Sequence, residues 1–188
     1  MSLVCENTAV PGVRLFTPQL HGDRRGFFLQ TFHAQEYAAA GLDRVFVQDN
    51  LSRSCRDTVR GLHYQLRQPQ AKLVSVLRGA VLDVAVDIRR GSPTFGRSVV
   101  VELSEDNRRQ LFIPEGFAHG FRVLTDSADF HYKCTDFYAH GDEYGVLWND
   151  PALAIPWGVM AAPVVSAKDA KLPRLADLPP EQLPVFSA

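Results

Sequence analysis

Five side chains in this sequence have the chemistry to move a proton or steady an anion: His63, His119, Lys72, Tyr132 and Tyr138. Each lies in a short run where alternate residues share a face, so its neighbours two positions away show its surroundings. In Phe117–Val123, His119 keeps company with Phe117, Phe121 and Val123, which puts an imidazole on an apolar face. Alone, that fits either a hydrogen-bonded core histidine or a group inside a pocket. Lys72 shares parity with Val74 and Val76, as an edge lysine reaching for water would, or as a charge that meets a developing anion inside a pocket. Tyr132 and Tyr138 fall on one face of a strand expected over 130–138, where paired tyrosines ordinarily pack with their hydroxyls at the rim. His63 groups with Val59, Gly61 and Gln65, and Arg60 falls on the opposite face. If Arg60 and His63 line one pocket, Gly61 must mark a β-bulge that re-aims the strand.

Several other chemistries find no motif. A metal site on a β-barrel would pair two histidines one residue apart with a third ligand and a carboxylate, and neither His63 nor His119 has such a neighbour. There is no glycine-rich phosphate loop, no GxSxG and no HExxH. Cys5, Cys55 and Cys134 show no CxxC spacing and read as reduced thiols. Histidine, tyrosine and lysine inside a barrel therefore point to proton transfer without a metal.

The elements that must position these groups are mostly strands. Leu82, Val84, Val86 and Ile88 alternate with Asp83, Ala85, Asp87 and Arg89, a period of two. Lys72–Leu77, Val99–Leu103, Leu111–Ile113 and Phe117–Leu124 are similar runs, with Arg78-Gly79 and Pro114-Glu115-Gly116 as turns. One helix is expected over His33–Ala40, stopped by Gly41. Many short strands with Gly/Pro turns predict a sandwich or barrel, one antiparallel domain over about 13–157. The tail beyond Trp157 holds five of the 12 prolines and reads as an extended or short-helical arm. Of the 188 residues, 46% are hydrophobic and the net charge is −1, which excludes a disordered chain and gives no overall charge for nucleic acid or a membrane surface. Apolar stretches break well short of the ~18 residues of a membrane span. The first residues lack the basic and apolar regions of an export signal, so the expected location is the cytoplasm.

A set of segments, in order along the chain, resembles the dTDP-4-dehydrorhamnose 3,5-epimerase family. They are Asp23–Phe28, Gln48-Asp49-Asn50, Arg60–Gln65, Lys72-Leu73, Asp83–Arg89, Ser92–Gly96, Ile113–Phe121, Tyr132–Thr135, Trp148–Pro151 and Ser166–Asp169. The resemblance implies an all-β, cupin-type double-stranded β-helix (jelly roll) with a few short helices. It further implies a single domain over 1–188 with a C-terminal arm over 158–188, a homodimer whose N-terminal segments cross to the partner, and no metal or organic cofactor. The implied reaction inverts C3 and C5 of dTDP-4-dehydro-6-deoxy-D-glucose, in dTDP-L-rhamnose biosynthesis for cell-surface polysaccharide. By the same resemblance His63 is the base, Asp169 holds its imidazole, Lys72 stabilises the C4 oxyanion and Tyr132 returns a proton on the opposite face. Substrate contacts fall on Arg25, Gln30, Gln48, Asp49, Asn50, Arg60, His119, Glu143 and Lys168, and Tyr138 takes the place that stacks on thymine. Gln30 stands where the family often has Glu; an amide keeps an acceptor and gains donors. The competing readings are an epimerase of C3 or C5 only, an epimerase of a related 4-keto sugar nucleotide, a catalytically silent carbohydrate-binding jelly roll, and a metal-dependent cupin oxygenase.

Overall fold

In the computed structural model, residues 3–158, 160 and 162–187 are described. Alternating apolar residues and glycine turns produce strands β1 (Leu3–Asn7), β2 (Arg14–Pro18), β3 (Leu20–Asp23) and β4 (Gly26–Leu29), then one short helix, α1 (Ala34–Ala39). There follow β5 (Gln48–Cys55), β6 (Thr58–Gln65), β7 (Lys72–Arg78), β8 (Ala80–Asp87), β9 (Ser98–Ser104), β10 (Gln110–Ile113), β11 (Phe117–Val123) and β12 (Ser127–Cys134). The short β13 (Glu143–Gly145) and β14 (Val164–Val165) complete the strands. One sheet has the order β1-β2-β10-β7-β12-β5 and the other β13-β6-β11-β8-β9, with β14 beside β6; β3 and β4 form a separate hairpin. This is the all-β, cupin-type arrangement the sequence predicts. Among the described residues no helix is long and apolar enough to cross a membrane.

The two sheets enclose a core in which Val74, Val76 and Phe130 meet Val81, Ala85, Phe121 and Val123. A second core lies outside the second sheet, where Val59, Leu62, Val84, Val86 and Ala118 pack beneath Trp157, Leu175 and Leu178. The chain after Trp157 runs over that face in 3₁₀ turns at Asp169–Lys171, Leu175–Asp177 and Pro180–Gln182. Burial on both faces explains why β11 is buried at every position. It also explains the alternation on β8. Leu82, Val84 and Val86 face the tail, and Asp83 points between the sheets, where it meets His119.

Of the two readings open for Lys72, the inward one holds: β7 lies between β10 and β12, not at an edge, and the Lys72 side chain lines the interior with Tyr132. One expectation about strands needs correcting. The strand expected over 130–138 ends at Cys134, so Tyr132 and Tyr138 do not share a strand face. The chain bends away at Thr135 and Asp136 and carries Tyr138 on a loop.

The bulge at Gly61 is present. His119 pairs with His63 and Phe121 pairs with Arg60, so Gly120 alone stands opposite both Gly61 and Leu62. Two residues against one turn the strand by one position. Val59 and Leu62 consequently face the outer core, and Arg60 and His63 face the interior together. Gly61 has φ +113°, and a Cβ there would stand 2.6 Å from the His119 carbonyl oxygen and from the Gly120 Cα. Both the dihedral and the space exclude other residues. Gly61→Ala should lower stability by about 2–4 kcal/mol, a Tm drop of several degrees by calorimetry. An unchanged Tm would show that the bulge does not need glycine.

Candidate active site

The interior between the sheets opens into two adjoining hollows of ≈ 570 and ≈ 880 Å³. His63, Lys72, Tyr132 and Glu143 line both. The two walls differ in chemistry. The second sheet supplies His63 and Arg60 from β6, His119 from β11 and Glu143 from β13; the first supplies Lys72 from β7, Tyr132 from β12, and Gln48 and Asn50 from β5. Any molecule held in this space has an imidazole on one side and a phenol and an ammonium on the other.

On the wall of the second sheet, His63 Nε2 donates to Asp169 Oδ1 at 2.8 Å, which leaves Nδ1 as the ring's lone-pair nitrogen. The other carboxylate oxygen accepts the Gly61 N–H at 3.2 Å, and the Asp169 N–H donates to Ser166 Oγ at 3.0 Å. Burial of Asp169 works against its ionisation, but the bonds from His63 and Gly61 outweigh it and hold the carboxyl below its usual range. The opposite wall is tuned by burial. Burial pushes the Tyr132 hydroxyl up, so it keeps its proton through neutral pH, and pushes the Lys72 ammonium down. Lys72 Nζ lies 5.9 Å from the centre of the Tyr132 ring. A buried cation next to a phenol can stabilise an oxyanion more strongly than the same group in water.

The remaining cavity groups suit a polyanionic ligand. Arg60 Nε donates to Ser54 Oγ at 3.0 Å, and among the described residues no carboxylate pairs with its guanidinium. Lys168 Nζ donates to Glu143 Oε2, which also accepts the Tyr138 hydroxyl at 3.4 Å. Burial opposes ionisation of Glu143, yet Lys168 and the nearby His63 hold its carboxyl low. His119 combines both of its possible roles: it is buried, bonded through Nε2 to both Asp83 oxygens at 3.0 and 3.1 Å, and it also lines the larger hollow. Gln48 Nε2 donates to Asn50 Oδ1 at 3.0 Å, and Asn50 Nδ2 donates to Cys134 Sγ at 3.7 Å.

Three expected contacts are not brought to the cavity. Asp49 lies between Gln48 and Asn50, so it points to the other face of β5, where it accepts from Lys133 Nζ at 2.8 Å. Arg25 is exposed on the β3–β4 hairpin, with Nε donating to Asp23 at 3.1 Å. Gln30 lines a separate recess with Leu3, His33 and Tyr37, and its buried Oε1 has no partner among the described residues. Conversely, the cavity includes Gln65, Gln70, Cys134 and Ser166. Of these, Gln65 was readable from its shared parity with His63.

The chain is similar in sequence and in fold to several known proteins. The family model for dTDP-4-dehydrorhamnose 3,5-epimerase matches residues 7–177. A dTDP-4-dehydrorhamnose 3,5-epimerase of Pseudomonas aeruginosa is 52% identical over 170 residues, 90% of this chain and 94% of that protein. The crystal structure of a dTDP-6-deoxy-D-glucose-3,5-epimerase of Legionella pneumophila, in complex with dTDP-4-keto-L-rhamnose, superposes with a TM-score of 0.97. It is 49% identical, and each chain is covered in full. A 3'-monoepimerase of Streptomyces bikiniensis in complex with dTDP-quinovose is more distant, with a TM-score of 0.88, 36% identity, and coverage of 95% of this chain and 91% of that one.

Asp169 provides a direct test of the imidazole–carboxylate pair. In Asp169→Asn the amide can donate to Nε2 and so favour the opposite ring tautomer; kcat should fall by ~10²–10⁴-fold with little change in KM. Near-normal kcat would contradict the pairing. Because the folded carboxyl titrates below its unfolded value, its stabilising contribution is complete above the unfolded pKa and is lost as pH falls through the folded one. The stability advantage of wild type over Asp169→Asn, measured by denaturant unfolding, should therefore shrink below about pH 4.

Proposed function

This chain belongs to the dTDP-4-dehydrorhamnose 3,5-epimerase family, and on that premise we propose that it inverts C3 and C5 of dTDP-4-dehydro-6-deoxy-D-glucose, giving dTDP-4-dehydro-L-rhamnose for dTDP-L-rhamnose biosynthesis. The observation that carries this reading is the placement of His63, backed by Asp169, across one cavity from Tyr132 and Lys72. A C4 ketone acidifies the hydrogens on both adjacent carbons, so removing either proton gives an enolate. His63 Nδ1 takes the proton, and Asp169 stabilises the imidazolium that forms. Lys72 meets the charge that develops on the C4 oxygen. Tyr132, on the opposite wall and protonated at neutral pH, returns a proton to the other face of the same carbon and inverts it.

Arg60 and Lys168 bind the diphosphate; the guanidinium can give two hydrogen bonds to phosphate oxygens at once. Tyr138, 51% exposed at the cavity mouth, stacks on the thymine ring. The enzyme works as a homodimer in which the hairpin at the N-terminal end reaches into a second copy's cavity. Support comes from Arg25, Phe27 and Phe28, which stand exposed on β3–β4 away from their own chain's site. The proposed compartment is the cytoplasm, in keeping with the free thiols of Cys5, Cys55 and Cys134.

The test is incubation of substrate and enzyme in D₂O, read by NMR and mass spectrometry of the sugar. Wild type should place deuterium at C3 and C5 with both centres inverted; exchange and inversion at one carbon alone would make the protein a mono-epimerase. Tyr132→Phe should still exchange, with retention, while inversion slows by ~10²–10⁴-fold. His63→Ala should bind dTDP and lose exchange, and near-normal turnover by that variant would overturn the assigned base.

A further inference from the structure

In the loop after β12, Thr135 is bonded to Ala71 and Asp142 to Arg67, and the stretch between them that carries Tyr138 is held by glutamine side chains. Gln65 Nε2 donates to the Phe137 carbonyl at 3.3 Å and to the Gln68 carbonyl at 2.7 Å, and its Oε1 accepts the Ala139 N–H at 3.0 Å. One amide thus binds the backbone immediately before and immediately after Tyr138. From the other sheet, Gln48 Oε1 accepts the Tyr138 N–H at 2.9 Å. Farther back, Gln68 and Gln70 each donate at 2.7 Å to Asp136, to its side chain and its carbonyl respectively.

The chemistry of the clamp is specific to an amide. A carboxamide donates and accepts, so it can complete a carbonyl and an N–H on the same strand of backbone as a neighbouring strand would. Gln65 is only 7% exposed, so these bonds form out of water and their loss leaves backbone groups unpaired. With its own backbone fixed from both sheets, Tyr138 is left with its ring at the cavity mouth and its hydroxyl toward Glu143. Gln65 lies two residues after His63 on the same face of β6, so one strand carries the base and the clamp.

We propose that Gln65 is a positioning residue for nucleotide recognition, which fixes Tyr138 in the pose that stacks on the base. This rests on the reading of Tyr138 as the stacking residue. A ring held in place before the ligand arrives loses less conformational freedom on binding, so the effect belongs to affinity and not to the proton-transfer steps.

The experiment is a double-mutant cycle on the full chain, with Kd for dTDP from calorimetry and kcat from turnover. Gln65→Leu is expected to weaken dTDP binding by ~10-fold with kcat within about twofold, since two to three neutral hydrogen bonds are lost and no reacting group moves. Tyr138→Ala should weaken binding at least as much, and adding Gln65→Leu to it should change Kd by less than about twofold. Gln65→Met, close in shape but unable to bond either the carbonyls or the Ala139 N–H, should weaken binding to the same extent as Gln65→Leu; it carries the test if the leucine variant does not fold. Multiplied effects in the double mutant would mean that Gln65 acts on the ligand directly, and unchanged Kd in both Gln65 variants beside a weakened Tyr138→Ala would mean that it positions nothing. Either result overturns the inference. Unchanged Kd in Tyr138→Ala would instead overturn the stacking reading, and the inference with it.

Discussion

The carboxylate of Asp169 makes two bonds that hold the site together. One oxygen takes the His63 Nε2–H and the other takes the Gly61 N–H, so the same buried group orients the imidazole and ties down the bulge that aims it inward. Without the bulge, Arg60 and His63 would face opposite sides of β6, and the cavity would have a guanidinium or an imidazole but not both. The partner carboxylate arrives from the C-terminal tail, which packs over the outer face of the same sheet through Leu175 and Leu178. Packing of an apolar arm outside the barrel is therefore what delivers a charge to the site. That charge stays ionised despite its burial because both oxygens are bonded.

From this follows a division of labour between the sheets. The wall with the tail holds an imidazole bonded to a carboxylate; the wall with β7 and β12 holds a phenol kept protonated by burial and a buried lysine. Epimerisation requires a proton to leave one face of a carbon and return to the other. Two sheets that face each other across a hollow present proton-carrying groups on opposite sides of it.

Much of this was legible in the sequence, for reasons that differ residue by residue. Parity grouped His119 and Lys72 with apolar neighbours that prove to face inward, and it made a bulge at Gly61 the condition for Arg60 and His63 to share a pocket, which the two-against-one register meets. Tyr138 reaches the cavity by another route than parity implied: the strand stops at Cys134 and a loop carries the ring there. Asp49 was expected at the substrate by resemblance together with Gln48 and Asn50, but alternation along β5 turns it to the opposite face, toward Lys133. Asp169 was beyond any periodic signal, because 106 residues separate it from His63 and only the packing of the tail brings them together. Arg25 and Gln30 are legible by resemblance alone, and within one chain they stand apart from the cavity.

The most direct measurement is a crystal structure of the His63→Asn variant with the 4-keto sugar nucleotide bound. The account predicts that the residue 63 side chain and the Tyr132 hydroxyl lie against opposite faces of the sugar ring, with Lys72 Nζ within hydrogen-bond reach of the C4 oxygen. A sugar bound with both side chains on the same face, or with its C4 oxygen turned away from Lys72, would contradict it.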